Sequence, residues 1–167
     1  SDWSQQGNTI LGLTDGDGVD YWGAAVSINA DGSVIAAAAS NSDNPPTFNN
    51  GHTSVYEWTN NNWAQKGSLI RGTDNMARKE MGGRALDISN DGNTVIIGSP
   101  LASSDRRNGK VEIWEFLNND WSLKGSEIYG TNSANDEKLG NSVSINGEGN
   151  IIAYGAPGWE RPYTLTG

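Results

Sequence analysis

Apolar and polar residues alternate in short runs along much of the chain, and the runs come in pairs joined by turn residues. Val143 and Ile145 alternate with serines, a turn follows at 146–149, and a second apolar run occupies 151–154. Alternation with a period of two is typical of a half-buried strand, and a Gly- and Asn-rich turn joins the strands of a hairpin. Pro157 ends the second strand because proline has no N–H for a neighbouring strand. The pattern therefore predicts an antiparallel hairpin.

This hairpin pattern occurs three times, with similar flanking residues in each copy. A segment that starts with tryptophan and has glycine four residues later begins at Trp3, Trp63 and Trp121, at intervals of 60 and 58 residues. In two copies a further alternating run, at 53–58 or 110–116, leads through an Asn-rich turn to the next tryptophan. Repetition of this kind indicates a repeat protein, in which each small sheet buries its faces by packing against its neighbours.

The repeats divide one domain into four parts. Residues 1–12 are predicted to form an outer strand without its hairpin partner, residues 13–72 and 73–130 form two repeats, and residues 131–167 form an incomplete third. Helix-forming sequence is nearly absent, so we predict an all-β fold of about three four-stranded antiparallel sheets.

An apolar residue followed by glycine precedes each hairpin, and a Gly-x-Pro segment follows two of them. The pairs are Trp22-Gly23, Met81-Gly82 and Leu139-Gly140, and the segments are Gly98-Ser99-Pro100 and Gly155-Ala156-Pro157. This arrangement resembles the FG-GAP repeat of integrin α-subunit-like β-propellers, in the version with Trp-x-Gln-x-Gly segments found in secreted and surface proteins of microbes. The resemblance implies a complete or partial β-propeller, an extracellular or cell-surface location, and a role in adhesion or recognition.

Many blades of that family bind Ca²⁺ in an Asp-rich loop between the two hairpin strands. The corresponding turns here are short and poor in carboxylates, so the family site is not carried over to them. Asp15, Asp17 and Asp20 are the calcium candidate instead, because they place three carboxylates within six residues of a Gly-rich stretch. Calcium takes about six to eight oxygen ligands, and this spacing fits no complete calcium loop. A solvated Gly-Asp loop is the open alternative.

Charge and composition disfavour several classes of partner. The chain has 11 Lys and Arg against 20 Asp and Glu, and its net charge of −9 repels nucleic acid and anionic membrane surfaces. It has no cysteine, which excludes disulfides, thiolate metal sites and cysteine nucleophiles. No apolar run approaches the roughly 18 residues of a membrane helix, so membrane insertion is not expected.

Seven tryptophans raise the alternative of a carbohydrate-binding protein, because indole rings stack on sugars. Five recur at repeat positions where packing between sheets explains them better: Trp3, Trp58, Trp63, Trp114 and Trp121. Two candidates for contact with a protein or glycan partner are left. They are Trp159, with its neighbours Glu160 and Arg161, and Trp22, which stands where the FG-GAP family has phenylalanine and for which a place in the core is the open alternative.

Catalysis has little support in the sequence. His52 is the only histidine, and no nucleophile elbow accompanies it, so we predict that the chain is not an enzyme. The predicted function is a non-enzymatic extracellular structural or adhesion module that displays the variable loops 41–50 and 101–108. A lectin-like propeller is the alternative.

The strand count also predicts a partner. About four to eight blades close a propeller, and the chain supplies fewer than three complete sheets. Either a longer parent chain supplies the rest, or copies associate so that the outer strand of one completes the third sheet of another. Such self-association would give a ring if it closes and a fibre if it does not.

Overall fold

Three antiparallel sheets follow one another along the chain and pack face to face. The structure, a computed structural model, describes residues 2–12, 20–42, 51–71, 84–102, 108–131 and 137–158. No helix occurs in these residues, so the predicted all-β class is confirmed. The sheets within these ranges form a stack and do not close into a ring.

The first sheet has five strands: β1 (Trp22–Ile28), β2 (Val34–Ala39), β3 (His52–Thr59), β4 (Asn62–Gln65) and β5 (Ile70–Arg71). The second has β6 (Ala85–Ile88), β7 (Thr94–Ser99), β8 (Lys110–Leu117), β9 (Asp120–Leu123) and β10 (Ile128–Tyr129). The third has β11 (Ser142–Ile145) and β12 (Ile152–Gly155). The strand order is β1-β2-β3 in the first sheet and β6-β7-β8 in the second, with β4 and β5 both paired to β3, and β9 and β10 both paired to β8.

The outer position of each complete sheet differs from the predicted single strand, because two short strands share it. The chain breaks between β4 and β5 at Gly67, which has a φ of 71°, and between β9 and β10 at Gly125, which has a φ of 79°. A left-handed φ turns the backbone out of the extended conformation, and glycine adopts it without strain. The glycine that follows each tryptophan-started strand is therefore the residue that divides the outer strand.

Each hairpin turn is closed by an equivalent side-chain hydrogen bond. Asn29 Oδ1 accepts a hydrogen bond of 2.9 Å from the N–H five residues later, and Asn146 Oδ1 accepts the equivalent one at 2.8 Å. Ser89 Oγ takes this role in the second sheet, at 3.0 Å. Short polar side chains that bond the following backbone fix a turn. The three predicted hairpins are confirmed, and these residues hold their turns.

Every sheet has two faces of different composition, because partners across a strand pair point to the same side. We call the side toward the preceding repeat the leading face and the side toward the following repeat the trailing face. The leading face of the second sheet carries large aliphatic residues: Leu86, Ile88, Val95 and Ile97. The trailing face of the first sheet carries smaller ones: Ala25, Ser27, Val34, Ala36 and Ala38.

The first interface, between these two faces, contains the main hydrophobic core. Two residues close its outer end. Trp121 Nε1 donates to the carbonyl oxygen of Lys66 at 2.7 Å, and Lys66 Nζ donates to the carbonyl oxygen of Gly92 at 3.2 Å. Burying each aliphatic side chain contributes about 1.5–3 kcal/mol, so this interface is the main source of stability in the stack.

The second interface, between the second and third sheets, has a smaller core that is centred on Ile96, Val111, Leu139 and Ile145. Two glycines meet there. A Cβ at Gly98 would collide with the carbonyl oxygen of Gly140, and a Cβ at Gly140 would lie 2.5 Å from the carbonyl oxygen of Lys110. The glycine of one repeat's Gly-x-Pro segment thus lies against the glycine of the next repeat's apolar-Gly pair, which gives the repeat motif a physical basis.

Residues 2–12, predicted to be an outer strand, form no strand in the structure. A strand needs the backbone groups of a neighbouring strand, and no described strand pairs with this segment. Side chains of the first sheet hold it instead. Trp63 Nε1 donates to the carbonyl oxygen of Gln6 at 3.0 Å, and Trp22 Nε1 donates to that of Ile10 at 3.2 Å. Trp3 is fully exposed.

Candidate functional site

Two of the residues predicted from the sequence to contact a ligand lie in the described part of the chain, Asp20 and Trp22. The others lie outside the described residues: Asp15, Asp17, Trp159, Glu160 and Arg161. Asp20 is half-buried just before β1, where its carbonyl oxygen accepts a hydrogen bond of 3.2 Å from the N–H of Asn41. This bond ties the start of β1 to the chain that leaves β2.

Trp22 lies beside a cleft of about 420 Å³ at the same end of the first sheet, lined by Tyr21, Trp22, Gly23, Ala24, Ser40 and Arg84. Its ring centroid is 5.8 Å from that of the buried His52 and 6.4 Å from that of Tyr56. Tyr21 has a left-handed φ of 51° and is 57% exposed. Trp22 therefore packs against the sheet, and Tyr21 is the aromatic residue that the cleft presents to solvent.

The acidic residues of the first two hairpin turns accept hydrogen bonds from other residues of the same turns. The hydroxyl and the N–H of Ser33 hydrogen-bond to Asp31 and lower the pKa of its carboxyl group. Asp91 bonds the Ser89 hydroxyl and the N–H of Asn93 in the same way. Within the ranges that the structure describes, no three His, Asp or Glu side chains converge as metal ligands.

Three charged residues form a cluster in the second sheet: Lys110, Glu112 and the half-buried Glu127. Lys110 is fully buried, and Glu112 nearly so. Lys110 Nζ lies 2.8 Å from Glu127 Oε1 and 3.2 Å from Glu112 Oε1, and the Tyr129 hydroxyl donates to Glu127 Oε2 at 2.7 Å. Burying charges is costly unless they are paired, so the two carboxylates depend on the single ammonium group.

Burial and the shared ammonium group move the pKa values of the cluster in different directions. Burial raises the pKa of Glu112 to about 7, although Lys110 opposes the shift. Burial also acts to raise the pKa of Glu127, but hydrogen bonds from Lys110 and Tyr129 prevail and lower it to about 2. Burial alone would lower the pKa of Lys110, and the two carboxylates raise it instead. Glu112 is therefore the member that changes charge near neutral pH.

Two members of this cluster lie on the side of the second sheet that faces the first sheet. The strand register sets Lys110 opposite Ser99 and Glu112 opposite Ile97, on the leading face that is packed against the first sheet. His52 has the position equivalent to Lys110 in the first sheet, because it pairs with Ala39 as Lys110 pairs with Ser99.

Asp87 connects all three sheets. Its Oδ1 accepts a hydrogen bond of 3.0 Å from the hydroxyl of Ser27 in the first sheet. Its Oδ2 accepts bonds from the hydroxyl of Ser144 at 3.1 Å and from the N–H of Ile145 at 3.0 Å in the third sheet. Ser27, Asp87 and Ser144 occupy equivalent register positions on the first strands of their sheets. These three polar residues therefore form a line through the stack, which we call the polar seam.

The leading face of the first sheet is open. Val26 and Ile28 are 70% and 59% exposed there, whereas the equivalent Leu86 and Ile88 of the second sheet are 9% and 6% exposed. Together with Ile35 they border an apolar groove of about 230 Å³. Val26 and Ile28 thus occupy the positions at which the second sheet has Leu86 and Ile88, and those two side chains pack against the neighbouring sheet at the first interface.

The trailing face of the third sheet is open as well, and its side chains are small: Ser142, Ser144, Ala153 and Gly155. A cleft of about 320 Å³ lies along it. The equivalent positions of the first sheet include Ala36 and Ala38, which are fully buried by the second sheet. The two ends of the described stack are thus unlike each other, one with large aliphatic residues and one with small residues.

Sequence reasoning missed the charge cluster, the role of Asp87 and the open faces. One signal for the cluster is present in the alternating run from 110 to 116. Lys110 and Glu112 lie on the same side of this strand, and the register pairs Glu112 with the apolar Ile97. Charges in the phase of a buried face predict a buried ion pair.

The comparisons with known proteins identify no family. The chain matches no protein-family model, and no curated protein is significantly similar to it. In the part of the chain that the structure describes, no helix is long and apolar enough to cross a membrane.

Proposed function

We propose that this chain is a non-enzymatic structural module, a rigid stack of similar sheets that holds variable loops for recognition. One observation carries the proposal. Equivalent residues of successive repeats make the packing contacts between sheets, so the repeat serves to stack onto another repeat. The extracellular, adhesive setting is the one that the resemblance to FG-GAP repeats implies.

The bases of two variable loops support display. The N–H of Gly51 bonds the carbonyl oxygen of Ser42 at 2.9 Å, and the N–H of Gly109 bonds that of Ala102 at 3.0 Å. These bonds close the base of the 43–50 stretch and the base of the 103–107 stretch at equivalent places in the first and second sheets. Sequence between such fixed bases can vary without changing the sheets.

Replacing residues 43–50 and 103–107 with Gly-Ser linkers of the same lengths tests this role. We expect the melting temperature and the far-UV circular dichroism of the variant to match those of the wild-type chain, because the sheets hold themselves. Loss of the fold would contradict the display role. A linker that replaces the turn at 30–33 is the control, because the carbonyl oxygen of Ser33 accepts a hydrogen bond from the N–H of Trp58 in β3 and replacement of this turn should destabilise the fold.

Further sheets, from a longer chain or from other copies, are part of the proposal. Residues 2–12 lie on the first sheet much as the segment after β4 lies on the second, with Trp63 bonded to Gln6 as Trp121 is bonded to Lys66. This likeness supports strand complementation, in which residues 2–12 pair with a strand from outside the described stack. Deleting residues 1–11 should then lower the native mass measured by light scattering. Repeating the measurement with EDTA tests whether Ca²⁺ at Asp15, Asp17 and Asp20 contributes.

Carbohydrate binding is the second candidate, and the cleft beside Trp22 favours it. An exposed aromatic residue next to an arginine suits a sugar, because a ring stacks on the sugar face while the guanidinium group bonds hydroxyls. We expect a glycan array to show hits that Tyr21→Ala removes. An array without hits for the wild-type chain would contradict carbohydrate binding and leave the structural role as the one remaining candidate.

A further inference from the structure

The two open faces complement each other in the way that the faces of the first interface do. There, Leu86 and Ile88 of a leading face rest on Ala36 and Ala38 of a trailing face. The open leading face of the first sheet offers Val26 and Ile28 at the equivalent positions. The open trailing face of the third sheet offers small residues and a cleft of about 320 Å³ to receive them.

We infer that the leading face of one copy of this chain docks on the trailing face of the third sheet of a second copy, head to tail. The inference rests on the structural role proposed above and names the partner for that role. The contact is between unlike faces. Two leading faces would place large aliphatic residues against large aliphatic residues, and two trailing faces would place small residues against small residues. Neither combination interlocks as the sheets within the chain do.

Polar groups of the two faces also correspond. At the second interface, Asp87 accepts hydrogen bonds from the hydroxyl of Ser144 and the N–H of Ile145. Ser144 holds the position of Asp87 in the third sheet, so it would receive the hydroxyl of Ser27 and the N–H of Ile28 from the second copy. The polar seam would then continue from one copy into the next.

Charge does not oppose this contact at its centre. The chain carries a net charge of −9, which repels other copies in general. The open leading face is formed by Val26, Ile28 and Ile35, and the open trailing face by serine, alanine and glycine residues. The two patches are uncharged, so docking requires no charged group of either patch to leave water.

The number of sheets indicates a closed assembly. Two copies with three described sheets each contribute six, within the range of about four to eight blades that closes a propeller. Head-to-tail contacts form a ring when their rotation closes. The expected assembly is therefore a ring of two copies, with twice the 17.8 kDa mass of one chain.

Light scattering of the full chain over a wide concentration range tests the inference. We expect the wild-type chain to have the mass of two copies, and Ile28→Asp and Val26→Asp each to have the mass of one. Leu117→Asp is the matched control, because Leu117 is 50% exposed, similar to Ile28, but lies at the end of β8 away from both faces. Circular dichroism shows whether each variant is folded. Two leading-face variants are included so that the test can still be made if one of them does not fold.

A trailing-face variant tests the direction of the contact. Ala153→Arg places a large charged side chain on the open trailing face and should also be monomeric. An equal mixture of Ile28→Asp and Ala153→Arg should recover dimers, because one intact leading face can meet one intact trailing face. If Ala153→Arg keeps the dimeric mass while Ile28→Asp loses it, two leading faces associate with each other and the inference is wrong.

A wild-type chain that stays monomeric at every concentration also overturns the inference, and a neighbouring sheet of a longer polypeptide would then be the occupant. The structural role does not fall with it, because loop replacement tests that role on the isolated chain.

Discussion

The two interfaces between sheets use equivalent positions, but they reach outward to different extents. The first interface runs from the inner strands to the outer ones, where it buries Lys66 and Trp121. The second has its core around the inner strands, and Lys124, the equivalent of Lys66, has a side chain that is 42% exposed and paired with Glu115. The outer part of an interface is therefore made by the outer strands of the following sheet, which the third sheet lacks among the described residues.

Equivalent tryptophans in the outer strands show the same dependence. Trp121 is 8% exposed because the first sheet covers it, Trp63 is half-buried against residues 2–12, and Trp3 is fully exposed. One motif thus has three different environments, and the neighbouring repeat decides which one it has.

Substituting these tryptophans should give the largest effect. We expect Trp121→Ala to lower the free energy of unfolding by about 3–5 kcal/mol, as removal of a large buried aromatic residue does. Trp63→Ala should cost less, and Trp3→Ala should cost nearly nothing. Urea denaturation followed by circular dichroism measures all three without depending on tryptophan fluorescence. Equal losses would mean that the neighbouring repeat does not determine the contribution of this motif.

The glycines of the second interface predict the next largest effect. Gly98→Ala should cost about 3 kcal/mol, because its methyl group meets the backbone of Gly140, which cannot move without shifting β11. Ala38→Gly, the reverse change at the equivalent position of the first sheet, should cost about 1 kcal/mol. Similar losses in the two variants would contradict the close approach of the backbones at the second interface. Urea denaturation curves of the two variants and the wild-type chain provide the comparison.

Sequence periodicity was sufficient for the strands and hairpins, because alternation and turn residues are local signals. It predicted β3 and β8, as the runs at 53–58 and 110–116, within one residue of their observed ends. It did not predict the division of the outer strand at Gly67, because a repeated glycine does not by itself reveal its φ.

The contacts between repeats were beyond the sequence for a different reason. Asp87 is one of many acidic residues, and the three bonds that it accepts from other sheets come from residues about 60 positions away in either direction. The pairing of Gly98 with Gly140 likewise exists only when two sheets are stacked. The candidate ligand residues Asp15, Asp17, Trp159, Glu160 and Arg161 lie outside the described residues and stay predictions.

The charge cluster on the leading face of the second sheet predicts a pH dependence. The folded-state pKa of Glu112 is about 7, above its ordinary value of 4.5, so the folded chain binds more protons between these values. The stability contributed by protonated Glu112 is therefore fully present below about pH 4.5 and is lost as the pH rises through about 7. A shift of this size corresponds to at most about 3 kcal/mol.

Glu112→Gln should remove this dependence. We expect the variant to exceed the wild-type chain in unfolding free energy by about 2 kcal/mol at pH 8 and to lack the wild-type decline between about pH 4.5 and 7. Glu115→Gln is the control, because Glu115 lies on the same strand but is partly exposed and bonded to the exposed Lys124. Urea denaturation at a series of pH values gives both curves. A Glu112→Gln curve that runs parallel to the wild-type curve would show that Glu112 does not titrate in this range.

Asp87→Asn should have the smallest effect and should distinguish the two interfaces most finely. The asparagine keeps the shape of the side chain but loses the charge and one acceptor oxygen, so we expect a loss of about 1 kcal/mol. Two of the three bonds that Asp87 accepts from other sheets come from the third sheet, and one of them holds the N–H of Ile145. Hydrogen exchange at the Ile145 amide should therefore accelerate in the variant, while the amide of Val95, inside the second sheet, should exchange at nearly the wild-type rate.

Ser27→Ala is the control, because it removes only the bond to the first sheet and should leave exchange at Ile145 unchanged. Equal acceleration at Ile145 and Val95 would mean that Asp87 supports the whole stack, and not the second interface in particular.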